Sequence, residues 1–427
     1  MLGKIHSNRI VTMPLATGKD KKRIRLHRNV WVVTITSLLT DISSEMIVHL
    51  VPLFLSNVLG VRTAVIGLID GVAETTASLL KIYSGALSDR LGQRKWITVS
   101  GYALSTLAKP FLYIANTWSW VLGVRFADRV GKGIRTAPRD ALVADSVEPA
   151  QRGLAFGLHR AGDTLGAFLG LGLAALIVWL SQSRAESLTR ATFQVAILIS
   201  IVPAVLAVIV LAVGAKDVAR ANPSAAPSLS LKGFDSRFKS FLLVVVLFTL
   251  GNSSDSFIVL RGQERGLNVV QVMLMVMTFN FIYALLAGPL GALSDRIGRR
   301  RLILLGWFAY GLVYLGFAFS QTGWQVWMLF GLYGIYYAAT EGVAKALVAD
   351  IVPEFQRGTA YGLYAAAVGL TALPASLIAG ILWQGVGTWT GFGASAPFFF
   401  GAAMALLAGI LFWRLVNKGV RESSSVR

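Results

Sequence analysis

The chain has 427 residues, 55% hydrophobic and only 14% charged, with 40 Lys+Arg against 21 Asp+Glu for a net charge of +19. A soluble globular chain carries about 25% charged residues, so this composition excludes that class and points to lipid as the solvent. The absence of cysteine excludes disulfides, thiolate metal sites and cysteine nucleophiles. The first 29 residues carry eight Lys/Arg, among them Lys19, Lys21, Lys22, Arg23, Arg25 and Arg28, without a contiguous apolar core, so they read as a basic tail. Segments of about 20 mainly apolar residues, enough to cross the hydrocarbon, then follow at 30–58, 64–87, 96–115, 118–146, 153–180 and 191–213. A polar linker over 214–238, with Lys216, Arg220, Pro223, Pro227, Lys232 and Arg237, leads to six more at 239–262, 268–293, 302–320, 324–350, 358–384 and 394–416, and a tail at 417–427 closes the chain.

Most loop Lys and Arg fall on the side that holds both termini, which the positive-inside rule assigns to the cytosol. Residues 116–119 and 321–323 are then short external turns.

The two halves repeat. Gly85-Ala-Leu-Ser-Asp89-Arg90-Leu-Gly92-Gln-Arg94-Lys95 recurs as Gly291-Ala-Leu-Ser-Asp295-Arg296-Ile-Gly298-Arg-Arg300-Arg301 at an offset of 206. Ala141-Leu-Val-Ala-Asp145 with Gln151-Arg152-Gly153 recurs as Ala346-Leu-Val-Ala-Asp350 with Gln356-Arg357-Gly358 at an offset of 205. Six spans per half give both copies the same orientation, so a pseudo-twofold axis runs along the membrane normal with room for a cavity between the copies.

On these residues the chain resembles the transporters of the major facilitator superfamily (MFS) over about residues 30 to 416. The duplicated G-x-L-S-D-R-x-G-x-R-[KR] is that superfamily's loop motif. A second family motif, approximately R-x-x-Q-G-x-G-x-A, appears in span 4 as Arg129-Val-Gly-Lys132-Gly133-Ile-Arg135-Thr-Ala137, with Lys132 for Gln and Arg135 for Gly. In span 5, Gly162, Gly166 and Gly170 keep the glycine periodicity of the antiporter signature without its proline. The resemblance implies an all-α polytopic membrane protein with twelve transmembrane helices in two six-helix bundles, with spans 1, 4, 7 and 10 around the cavity. It also implies a cytosolic gate at Gly85, Asp89, Arg90, Gly291, Asp295 and Arg296, where acids stand at the mouth of a helix pair and basic residues meet anionic headgroups.

Charges inside a span are costly and ask for a buried partner or a wet cavity. Span 4 holds Arg125, Asp128, Arg129, Lys132, Arg135, Arg139 and Asp140, the first six within an arc of about 120°. Arg125, Arg129, Lys132 and Arg135, with Arg160 on span 5, are therefore expected to line the cavity. The second half supplies Tyr283, Tyr310, Tyr333, Tyr336, Tyr337, Tyr361 and Tyr364, of which Tyr333 and Tyr337 are expected on the facing wall. A cationic wall opposite a tyrosine-rich one suits a small solute with an anionic part and an apolar or hydroxylated part. Asp41, Glu45, Asp255 and Glu341 are the expected proton carriers, the alternative being that these acids, with Asp70, Glu74 and Asp163, only neutralise neighbouring cations. Asp41, Glu45, Met46 and His49 share one helical face like a metal-ligand set, but four histidines and no cysteine favour a structural role, and neither a metal nor another cofactor is expected. The expectation is a monomeric proton-coupled exporter of the cell inner membrane, not an enzyme, with a small-molecule substrate, protons and the lipid bilayer as partners and no nucleic acid. A broad multidrug antiporter, an importer of an organic anion, a metal or metal-chelate exporter and a lipid-moving or receptor protein of the same fold are the alternatives.

Overall fold

A computed structural model describes residues 26–148, 151–182, 186–218, 230–353 and 356–424. Lys19, Lys21, Lys22, Arg23 and Arg25 of the basic tail, and Arg220, Pro223 and Pro227 of the linker, lie outside the described residues. Twelve helical rods run through the rest. They are α1 (Arg28–Val58), α2 (Thr63–Leu91), α3 (Lys95–Ala108, continued by the tighter turn Lys109–Leu112), α4 (Trp118–Asp145), α5 (Arg152–Gln182) and α6 (Arg190–Gly214), then α7 (Ser236–Glu264), α8 (Val269–Ile297), α9 (Arg299–Phe319), α10 (Gly323–Ile351), α11 (Arg357–Gln384) and α12 (Ala396–Ser424). Nine of them are long and apolar enough by themselves to cross a membrane; α3, α4 and α10 fall short of that measure.

Local sequence starts several of these rods. Thr117 and Thr189 accept the amides of Trp120 and Thr192, and Asn268/Gln271 and Thr322/Gln325 form reciprocal capping boxes at α8 and α10. Three rods differ from their expected form, the twelfth running on to Ser424 through most of the expected tail 417–427. The third is shorter, its regular helix ending at Ala108, and the seventh is interrupted between Gly251 and Ser256. The interruption is the sequence Asn252-Ser-Ser-Asp255, whose short polar side chains compete with the backbone for hydrogen bonds. In an apolar surround the freed groups must find partners. Tyr310 Oη donates to Gly251 O at 2.9 Å and Ser254 N to Ser376 Oγ at 3.2 Å.

Helix pairing repeats with a shift of six. In the first half α1 packs on α5 and α6, α4 on α2 and α3, and α3 on α6; in the second α7 packs on α11 and α12, α10 on α8 and α9, and α9 on α12. The halves meet through α2 with α11 and through α5 with α8, equivalent pairs under the pseudo-twofold axis. Twelve crossings return the chain to the face where it began, which we term the terminal face.

The α2–α11 seam between the halves is closely packed away from that face. Thr63, Gly67, Gly71 and Thr75 of α2 meet Gly380, Ser376, Leu373 and Gly369 of α11 in turn, with Thr75 Oγ1 donating to Gly369 O at 2.6 Å. A Cβ at Gly71 would lie 2.7 Å from the Leu373 backbone, whereas Gly157, Gly288, Gly358 and Gly362, nearer the terminal face, look into open space. Along α2 and α11 the halves are thus sealed against each other on the side opposite the terminal face.

Candidate functional site

The span 4 stripe points inward because glycines commit the other sides of α4 to helix packing. A Cβ at Gly131 would lie 2.5 Å from Gly101 O of α3, and one at Gly133 2.5 Å from Leu80 Cβ of α2. The charged side faces α1 and α2. A cavity of about 90 Å³ lies there, lined by Asp41, Glu45, Lys109, Arg125, Asp128, Arg129, Lys132 and Arg135 among others. The helix carrying Asp41 and Glu45 is brought close by α5, since Gly166 and Gly170 would each place a Cβ 3.0 Å from the Cβ of those acids.

Most of these charges are matched one to one. Arg125 Nη2 lies 3.6 Å from Asp70 Oδ1, and Arg129 lies 3.3 Å from Glu74 and 3.8 Å from Asp128. Glu45 lies 3.2 Å from His49, and Arg139 bonds Asp140 at 2.8 Å. Arg135 spends its guanidinium on Ser105 Oγ at 2.8 Å and on the Tyr102 ring, 4.4 Å from its centroid, rather than on open cavity. The wall expected to be cationic is thus close to balanced. Lys132 stands apart, exposed and, among the described residues, without an ion pair or hydrogen bond of its side chain. The Nε atoms of Arg125 and Arg129 are buried without a hydrogen bond, that of Arg129 lying 3.8 Å from Asp128. A polar group entering here meets the Lys132 ammonium beside two buried guanidiniums whose Nε donors carry no hydrogen bond.

Lys109 was not singled out by the sequence reading. Its Nζ donates to Ser43 Oγ and lies 3.3 Å from Ser44 Oγ, and the lysine is 6% exposed at the cavity edge. Its signal was present, a charge before Pro110 in an otherwise apolar span, where insertion costs about 2.5–3.5 kcal/mol.

The facing half is aromatic. A second cavity of about 140 Å³ is lined by residues including Trp307, Tyr336, Tyr337, Glu341 and Tyr364. Tyr337 therefore reaches a cavity wall. Tyr333 does not: it is 0% exposed, stacked among Phe279, Phe330 and Tyr336, and its Oη donates to Asn252 Oδ1 at 3.1 Å. The interrupted α7 needs polar partners, and Tyr333, like Tyr310, is drawn into that role. Glu341 accepts from Tyr283 Oη at 2.6 Å and lies 3.6 Å from Lys345; Tyr283 in turn accepts from Arg160 Nη2 at 2.8 Å. Arg160 of α5 and Glu341 of α10 are thereby joined across the two halves. Asp255 lies at the end of the α7 interruption, its carbonyl accepting the amides of Ile258 and Val259. Asp163 lies 3.5 Å from His159, which meets Ser37 at 2.9 Å, and one Asp163 oxygen is buried without a partner. Met46 is buried in the core, and among the described residues no three His, Cys, Asp or Glu converge as metal ligands.

At the terminal face the two duplicated motifs touch each other. Arg94 Nε lies 3.3 Å from Asp145, and Arg299 Nη1 bonds Asp350 at 2.5 Å and Ala346 O at 2.7 Å. The second half uses the residue one before its aligned counterpart, Arg300. Gly85 meets Ala137 of α4 at 3.2 Å, but Gly291 meets nothing within 4 Å, so the close approach expected at both glycines exists only at the first. Asp295 pairs with Arg299 at 3.4 Å, and Arg90 and Arg296 are exposed. The Asp89 side chain lies outside the described residues.

A family model for the Major Facilitator Superfamily matches residues 33–260 and 240–427. An uncharacterised MFS-type transporter of Methanocaldococcus jannaschii is 36% identical over 392 residues, covering 90% of this chain and 94% of that protein. A multidrug-resistance efflux pump of Streptococcus pneumoniae is 24% identical over 336 residues, 76% of this chain and 82% of that one. Among solved structures, a bacterial homologue of the human lysosomal transporter Spinster, inward-facing and occupied, superposes with a TM-score of 0.75 at 15% identity, over 91% of this chain and 96% of that one. With the paired helices, the duplicated motifs and these relatives together, the chain belongs to the major facilitator superfamily and is a multi-pass membrane transporter.

Proposed function

We propose that this transporter moves a small organic anion with an apolar or hydroxylated ring portion, outward from the cell, in exchange for protons. The observation that carries the anion is the unpaired Lys132 beside the unspent Nε donors of Arg125 and Arg129. An anionic group would meet the Lys132 ammonium first, with the Arg125 and Arg129 guanidiniums behind it. The ring portion would rest against Tyr337, Tyr336 and Trp307 across the passage. Arg160 completes the substrate side at the edge, and Arg135, held on Ser105 and Tyr102, contributes its charge from behind the wall.

Asp41, Glu45, Asp255 and Glu341 remain the proposed proton carriers. Each lies near a cavity or at the α7 interruption, where the two conformations of an alternating-access cycle would change its surroundings. Gly85, Asp89, Arg90, Gly291, Asp295 and Arg296 are proposed as the terminal-face gate. The bias of basic loops supports a cytosolic terminal face in the cell inner membrane, and the similarity to an efflux pump supports export. The test is a proteoliposome assay with benzoate and 4-hydroxybenzoate as first probes. Proton movement opposite to anion movement, lost in Lys132→Gln, is the expected result; no flux with any aromatic or aliphatic carboxylate overturns the reading.

A further inference from the structure

One carboxylate faces both halves of the protein. Asp70 of α2, 8% exposed, places Oδ1 3.6 Å from Arg125 Nη2 in its own half. Its Oδ2 accepts a 2.8 Å hydrogen bond from Ser254 Oγ, in the α7 interruption of the other half. Ser254 is itself fixed on the closed seam, because its backbone N–H donates to Ser376 Oγ of α11, the residue against whose main chain Gly67 of α2 packs. Arg125, which lines the cavity, is thus two contacts away from the seal.

We propose that Asp70 is the positioning residue through which engagement of Arg125 controls opening of the sealed face, an inference that rests on the anion reading of the same cavity. An ionised carboxylate that dry is tolerated while a cation compensates it, and removing the partner leaves an uncompensated buried charge. With Arg125 committed to Asp70, the seam stays closed over the pair. When an anion takes a share of the Arg125 guanidinium, Asp70 is under-compensated, and parting the seam admits the water that solvates it. The energy of the site is thereby delivered to the gate through the Ser254 bond, as a bias on two pre-existing states. The interruption of α7 gives the hydrogen bond its give, since Ser254 can leave α2 without breaking a regular helix.

The chain contains no cysteine, so Ser119→Cys and Gln321→Cys, exposed positions near the starts of α4 and α10 on the sealed side, can carry spin labels in otherwise native protein. Distances are read in lipid nanodiscs without substrate, loss of the Arg125 charge standing in for its engagement. Arg125→Gln is expected to raise the ratio of long to short distances by at least about fivefold. Adding Asp70→Asn to it should restore the sealed population, because Asn keeps an acceptor for Ser254 and removes the orphaned charge. Ser254→Ala, which keeps the Arg125–Asp70 pair, should lengthen the distances by itself. A sealed distribution in Arg125→Gln, or a double variant as open as Arg125→Gln alone, overturns the proposal. Should Arg125→Gln fail to fold, an unchanged distribution in Ser254→Ala overturns it. A failure of every anion to be transported leaves these distances as described and sinks only the substrate reading.

Discussion

The two halves share a helix-pairing scheme and differ in what they do with buried polar groups. The first half concentrates charge on α4 and balances it with acids from α2 and from α4 itself, leaving Lys132 without an ion pair among the described residues. Among the described residues the second half holds one fully buried arginine, Arg261, and uses it as mortar: its guanidinium donates to Phe317 O, Ala318 O, Ser320 O and Ser395 Oγ and pairs with Glu264 at 2.7 Å. Two of its buried tyrosines, Tyr310 and Tyr333, serve the interrupted α7. One scaffold therefore holds a charge-exchange surface on one side and a hydrogen-bonded aromatic block on the other. A buried cation with every donor satisfied is architecture; one with a donor unspent is available to a ligand.

The sharpest way to break that comparison is to remove one arginine from each half. Arg261→Ala should cost about 3–5 kcal/mol by removing the buried cation on which Phe317 O, Ala318 O, Ser320 O, Ser395 Oγ and Glu264 converge, seen as a large fall in melting temperature of detergent-solubilised protein. Arg129→Ala strands Glu74 and Asp128 and should abolish anion flux in proteoliposomes even in the fraction that remains folded. Equal loss of flux per folded molecule in both would erase the distinction. Next in size is Gly166→Val, which drives a side chain into Leu38 of α1; a loss of about 1–3 kcal/mol in stability is expected, and no loss would mean that α5 does not hold Asp41 in place. Lys132→Gln leaves no buried partner stranded, so melting should be unchanged while anion flux falls roughly tenfold, about 1.4 kcal/mol of binding free energy. Smallest is Gly291→Ala. Nothing lies within 4 Å of its Cβ position, and stability should stay within about 0.5 kcal/mol of the parent, in contrast to Gly85→Val, which would press on Ala137.

Much of the architecture was legible in the residue order. Apolar runs set the rods, and the duplicated Gly-Ala-Leu-Ser-Asp-Arg stretch announced two copies. The contact between loop arginine and α4 or α10 aspartate was not announced, since each motif was recognised separately and only folding showed Arg94 on Asp145 and Arg299 on Asp350. The α4 stripe was legible because 100° per residue puts its charges on one side. Its neutralisation was not: Asp70 and Glu74 are 55 residues from their partners on the chain, and helix periodicity says nothing about which rod lies opposite. Tyr333 shows the same limit, since a tyrosine facing a cavity and a tyrosine serving a broken backbone look alike in sequence.

The sequence by itself determined the solvent, the rods and their duplication, because hydrophobic length, glycine spacing and repeated motifs act locally along the chain. Only the tertiary structure decided which charges are spent and which are free, that Lys109 lines the same cavity as Arg125, and that Asp70 reaches Ser254 across the seam. Those outcomes depend on distances between rods that share no sequence neighbourhood. A buried charge is defined by the groups within about 4 Å of it, whatever its place in the chain.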